Sequence, residues 1–192
     1  MIIYKLKITL LSDTTFGRGD GVAGVIDQEV EHDNYGFPYV RGRNLKGLLS
    51  EEADNLIGIL PEENVRPHWE KLACILFGVP GSYLQTMGSI RVGDACLPED
   101  LRTAVAWQIK HEELTKNEVL DSLTTVRRQT AINSQIGVAE KGSLRSFRVV
   151  MRQLEFEAKL IFETQPSQEI LSLLAASVLA LRRIGSGRNR GR

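Results

Sequence analysis

Residues 2–11 alternate, with Tyr4, Leu6, Ile8 and Leu10 pointing one way and Lys5, Lys7 and Thr9 the other. That period of two predicts a half-buried first strand. Further on, Leu45, Leu48, Leu49, Ala53, Leu56, Ile57 and Leu60 recur at the three-and-four spacing of one helix face, with Glu51, Glu52 and Asp54 on the other. Pro61 and Pro67 break the chain, and residues 69–77 suit a short helix ending at Gly78. Residues 87–97 read as a second strand with Ile90 and Val92 on one face. The clearest alternation covers 147–163, where Leu154, Phe156, Ala158, Leu160 and Phe162 interleave with Glu155, Glu157 and Lys159. Ser167 is then placed to cap a second long helix, with Ile170, Leu171, Leu174, Val178, Leu181 and Ile184 as its apolar face and Gly185 as its stop.

Strand, helix, strand, long insertion, strand, helix is an α+β order. It matches the ferredoxin-like, RRM-like βαββαβ pattern without its last strand, in a single domain over 1–192. The insertion covers about 99–146. Its first part, 102–110, fits strand or helix equally. Its second, TTVRRQTAINSQIGVAEKGSLRSF, is rich in β-branched residues and cations, which favours an extended hairpin or arm over a loose surface loop. The chain stops within the glycine-rich segment 185–192, before a fourth strand. This suggests an N-terminal piece of a longer protein, or a partner that supplies the strand and covers an open sheet edge.

Composition narrows the class. The 192 residues carry 24 Lys and Arg against 24 Asp and Glu, so net charge does not argue for nucleic acid. Distribution does. Arg182, Arg183, Arg188, Arg190 and Arg192 crowd the C-terminal stretch, which holds no acid. No apolar run is long enough for a membrane span, and the N-terminus lacks the order of a signal peptide. Cys74 and Cys96, with no paired spacing, read as buried thiols in a reducing cytoplasm; with three scattered histidines they build no zinc motif. The segment Gly185-Ser186-Gly187-Arg188-Asn189-Arg190 is neither a P-loop nor a dinucleotide loop, because its glycines follow a helix. Interleaved arginines suit a backbone lying on phosphates, or a basic tail.

The richest stretch is 15–53. A glycine-bearing loop carries Arg18, Asp20, Asp27, Glu29, Glu31, His32 and Asp33, and Arg41, Arg43 and Lys46 crowd the start of the first helix with no acid before Glu51. Cations and open backbone N–H groups at a helix start make an anion site; the plain alternative is a solvated helix end. Asp27 reads either as a group that takes a proton or binds a divalent ion, or as one more loop carboxylate. His32 beside Asp33 reads as a base with its orienter or, more simply, as a turn pair.

Taken together, GVIDQEV followed by YGFPYVRGRNLKGLL, the stretch TAINSQIGVAEKGSLRSFRVV and the late GSGRNRG resemble the RAMP superfamily of CRISPR effector proteins over nearly the whole chain. More narrowly they resemble the type III backbone subunits. Arg41 stands where that family often has proline, and Arg43-Asn44 where it has Ser-Ser. The resemblance implies a cytoplasmic ribonucleoprotein subunit with guide RNA, target RNA and other effector subunits as partners. It implies target-RNA cleavage at Asp27, with Mg2+ or another divalent cation held there. It places RNA contacts at Arg18, Arg41, Arg43, Lys46, Gly185, Gly187, Arg188 and Arg190, and on an arm around Arg127 and Arg128 that wedges into the guide–target duplex. Two alternatives remain: a backbone or capping subunit that binds guide without cutting, and a guide-processing endoribonuclease working through His32.

Overall fold

The computed structural model describes residues 1–17, 19, 21, 26–63, 65–79, 87–132, 135–140 and 142–185. Its elements run β1 (Ile2–Thr9), α1 (Gly42–Gly58), α2 (Arg66–Phe77), β2 (Ile90–Val92), α3 (Glu99–Lys110), α4 (Lys116–Leu123), β3 (Thr124–Gln129), β4 (Arg145–Val150), β5 (Glu155–Phe162) and α5 (Gln168–Ala180). They group into two interleaved compact units. The first holds Met1–Ile8, Val40–Ala95 and Glu157–Arg182, the second Thr9–Tyr39, Cys96–Phe156 and Arg183–Arg192. Among the described residues no helix is long and apolar enough to cross a membrane.

The first unit carries the α+β core. Its sheet has the strand order β1-β5-β2, with β2 antiparallel to β5 in the register Ile90↔Phe162, Arg91↔Ile161 and Val92↔Leu160. Period-two burial runs along β5, where Phe156, Ala158, Leu160 and Phe162 are inward. Tyr4 meets Phe162 edge to face, their ring centroids 6.1 Å apart. Helices α1, α2 and α5 pack on one another, and α1 on β2. On α1 the buried positions are Gly42, Leu45, Leu49, Ala53 and Ile57, the face that the spacing predicts. Ser167 caps α5, its hydroxyl oxygen accepting from the Ile170 N–H at 3.2 Å. That helix ends at Ala180, ahead of Gly185, which lies beyond Leu181 at φ +112°. Residues 186–192, the rest of the glycine-rich segment, lie outside the described residues.

The second unit contains the insertion. Residues 102–110, undecided from sequence, are part of α3. A further helix, α4, was missed, although its capping box is explicit: the Thr115 hydroxyl oxygen accepts from the Glu118 N–H while the Glu118 carboxylate accepts from the Thr115 N–H. The arm is a true hairpin, with β3 antiparallel to β4 from Thr124↔Val150 to Gln129↔Arg145, extended by a bridge between Ile132 and Ala139.

The strand expected over 147–163 is two strands in two sheets. The break falls at 151–154. Gln153 takes φ +69° there, its N–H donates to the Leu10 carbonyl at 2.7 Å, and Leu10 N–H donates to the Leu154 carbonyl at 3.1 Å. Both partners are fixed to residue 10, so the chain must turn between them. No glycine or proline marks this place, and apolar alternation runs on through it.

Asp13 ties the base of the arm. Its carboxylate accepts from the Arg152 N–H at 2.9 Å and pairs with Arg127 on β3. Partial burial works against its charge, but the Arg152 N–H and the Arg127 guanidinium outweigh that and hold the carboxyl below the usual aspartate value.

Two outcomes follow from this architecture. A folded-state value lowered beneath the unfolded one contributes stability that is complete above the unfolded value of 3.8 and is lost as pH falls through the folded one. The stability gap between the wild type and Asp13→Asn, followed by thermal melts across pH, should therefore be constant near neutrality and close in acid below about pH 4. Leu49 is fully buried on α1, so Leu49→Ala should lower the denaturant-derived unfolding free energy by about 2–5 kcal/mol.

Candidate nucleic-acid interface

Within the second unit, residues 26–30 lie along β4 as an extra extended segment. Gln28 bridges Phe147 in parallel sense, the Asp27 N–H donates to the Ser146 carbonyl at 2.9 Å, and the Arg148 N–H donates to the Gln28 carbonyl at 3.0 Å. The Asp27 side chain adds a return bond, Oδ2 accepting from the Ser146 N–H at 2.6 Å. Asp27 is exposed nonetheless. A carboxylate anchored through one oxygen to main chain has lost much of its rotamer freedom while staying at the surface.

Two residues on, Glu29 is buried and faces Arg148 of β4 at 2.9 Å. Arg148 also donates to Asp121 of α4 at 2.7 Å and to the Thr124 hydroxyl at 3.0 Å. Glu29 Oε1 further accepts from the Val30 N–H at 2.9 Å. Among the described residues every buried side-chain polar atom has a partner. Sequence reasoning picked out Asp27 and missed this clamp, because Glu29, Asp121 and Arg148 are far apart along the chain and nothing local pairs them.

The candidate cations divide. Arg127 is committed to Asp13, so the hairpin's first arginine is an anchor of the arm as well as a surface charge. Its neighbour Arg128 is exposed on the opposite face of β3. Arg41, Arg43 and Lys46 belong to the first unit. There the start of α1 is not as open as the local sequence implies, since Asp94 Oδ1 accepts from the Gly42 N–H at 2.7 Å. The acid missing from the first turn of α1 thus comes from after β2, in keeping with the helix dipole. Gly42 permits this closeness: a Cβ there would lie 2.2 Å from the Val92 carbonyl oxygen. Arg41 and Arg43 are exposed and Lys46 is half-buried, its burial lowering the ammonium's pKa.

Gly185 has a steric role. At φ +112° its missing Cβ would stand 2.2 Å from Thr14 Oγ1, whose hydroxyl donates to the Ile184 carbonyl at 2.9 Å. Arg18, Gly187, Arg188 and Arg190 lie outside the described residues. His32 and Asp33 form a turn: Asp33 Oδ1 accepts from the Tyr35 and Phe37 N–H groups at 2.9 and 3.0 Å, and the histidine's Nδ1 is 3.1 Å from the Asp33 carbonyl oxygen, leaving no base–orienter contact through the carboxylate. Cys96 is half-buried, but Cys74 is exposed rather than buried, on the outer side of α2.

As for a metal, no group of three or more His, Cys, Asp or Glu side chains stands together among the described residues. Asp27 offers one carboxylate with one oxygen already engaged. These residues do not by themselves build a divalent-cation site.

Comparison with known proteins places this geometry. The RAMP superfamily model matches residues 7–192. A cryo-EM structure of type III-B Cmr-beta bound to cognate target RNA is similar at TM-score 0.63 and 12% identity, covering 95% of this chain and 90% of that one. An apo-state cryo-EM structure of type III-B Cmr-beta is similar at TM-score 0.63 and 15% identity, covering 100% of this chain and 96% of that one. No curated protein matches the chain. At such identities the likeness is one of fold, and it agrees with the α+β, ferredoxin-like architecture. The family match extends over nearly the whole sequence, and the chain belongs to the RAMP superfamily.

Proposed function

We propose that this chain is a cytoplasmic subunit of a type III CRISPR ribonucleoprotein effector that binds guide RNA and cuts target RNA at Asp27. Family membership and the likeness to a Cmr-beta structure bound to cognate target RNA support the assembly. The observation that carries the cutting role is the exposed Asp27 carboxylate, held by Ser146 partway along a hairpin that bears Arg127, Arg128 and Arg145. A strand laid against that hairpin would meet cations along its backbone and a fixed carboxylate beside it.

In this reading Asp27 accepts the proton of a target 2′-hydroxyl. The 2′-oxygen bonds to phosphorus, the bond from phosphorus to the 5′-oxygen breaks, and that oxygen takes a proton from water. Mg2+ or another divalent cation belongs to the proposal, with ligands beyond Asp27 coming from RNA phosphate, water or a neighbouring subunit. Guide contacts are assigned to Arg41, Arg43 and Lys46 on α1, to Arg128 on the arm, and to Arg18, Gly185, Gly187, Arg188 and Arg190. Base pairing carries the sequence information, so these contacts need only hold the backbone.

One observation favours a second reading, a guide-binding scaffold that does not cut. The bond from Ser146 N–H to Asp27 Oδ2 gives the carboxylate a structural task of its own. Asn at 27 keeps an oxygen able to accept that bond and removes the base. In the assembled effector with Mg2+, target-RNA cleavage by Asp27→Asn should fall about 100-fold or more, with guide binding unchanged, and chelation should abolish the wild-type cut. Asn cutting at the wild-type rate, or Asp27→Ala cutting at the same positions, assigns the chain to the scaffold.

A further inference from the structure

The second unit holds a feature the arm does not use. Helix α3 has no buried residue, yet it carries Trp107, 55% exposed. A single exposed aromatic needs no explanation. This one borders a surface cleft of about 400 Å3, lined by Tyr35, Glu99, Arg102, Thr103, Trp107 and Lys110. That volume lies within the range of small-ligand sites.

The walls are fixed in advance. Asp33 fastens one side to the other, Oδ1 accepting from the Tyr35 N–H at 2.9 Å and Oδ2 from Arg102 at 3.4 Å. The Trp107 indole is stacked on the His111 imidazole, centroids 3.9 Å apart and planes 28° from parallel. His111 is itself tied down, Nδ1 donating to the Trp107 carbonyl at 2.8 Å. Orienting the ring before a ligand arrives removes part of the ordering cost of binding.

The chemistry of the lining selects the ligand class. Trp107 and Tyr35 offer aromatic surface to a planar ring, and every nucleobase has a π-face. Lys110 offers positive charge to a phosphate, while Arg102 is paired with Asp33 and holds the wall. Glu99 and Thr103 can accept hydrogen bonds from a base edge. An apolar partner helix would not draw on a lysine and a carboxylate at once. We propose that this cleft binds a nucleotide, its base stacked on Trp107 and its phosphate drawn by Lys110. The ligand is a free mononucleotide or one residue of an RNA strand; the chemistry is shared. The proposal does not depend on Asp27, because binding is read without cleavage.

The sequence holds two tryptophans, so Trp69→Phe in the full chain leaves Trp107 as the sole indole reporter. Its fluorescence would be titrated with guanosine monophosphate, uridine monophosphate, a short oligouridine and, as the baseless control, ribose 5-phosphate. Base-bearing probes should quench saturably and ribose 5-phosphate should not. Saturation by mononucleotides at low millimolar concentration marks a free-nucleotide site, and saturation by the oligouridine alone marks a strand. Calorimetry should show Trp107→Leu weakening binding about fivefold or more, with Lys110→Ala also weaker. Both side chains are exposed, so circular dichroism should stay unchanged. Absence of saturable quenching by every probe overturns the proposal. So does Trp107→Leu binding the same probe as well as the parent, or losing only assembly with protein partners.

Discussion

A charge removed from water has to find its full set of partners in the protein, and the pair of Glu29 and Arg148 meets that demand where three segments converge. Glu29 belongs to the loop, Arg148 to β4, and Asp121 and Thr124 to the end of α4 and the start of β3. Breaking such a pair strands a buried charge, which costs far more than an exposed ion pair contributes. The arrangement therefore fixes register. Residues 26–30 can lie on β4 with Glu29 inward in one alignment only, since a shift by one residue would bury Gln28 and expose the glutamate. Asp27 is thereby set at the surface beside Ser146.

Much of the architecture was legible because it rests on local periodicity. The alternation of β1 and β5, the apolar stripe of α1, the Ser167 cap and the hairpin character of 124–150 all follow from residues close in sequence. Other features rest on distant partners and have no local signal. Asp94 caps α1 from after β2, Asp13 anchors Arg127 from the far side of the chain, and Leu10 breaks the apparent strand at 151–154 by bonding both sides of Gln153. The capping box at Thr115–Glu118 is local, but the helix it opens is only eight residues long and carries too short an apolar face to stand out within the mixed composition of the insertion.

The same contrast governs the candidate site. Asp27 stood out through its resemblance to a family motif, not through any property of the surrounding loop. The supporting shell was invisible for a physical reason: a buried glutamate and a solvated one look identical until the arginine that covers the first is located. Conversely, Arg127 looked like a free cation on an arm, and the structure gives it a carboxylate. Charge composition reports how many cations exist, while their availability to a phosphate depends on the partners each already holds.

The pairing of residue 27 with residue 146 spans 119 positions. On a ribosome, the loop is out and waiting while all of α1, α2, α3 and α4 are made, on the order of ten seconds at usual elongation rates. During that interval Glu29 has no Arg148 to pair with, so the part of the loop that lies on β4 lacks its partner. Closure of such a long separation is entropically slow. The segment bearing Asp27 consequently gains its place on β4 only once α4, β3 and β4 itself have been made.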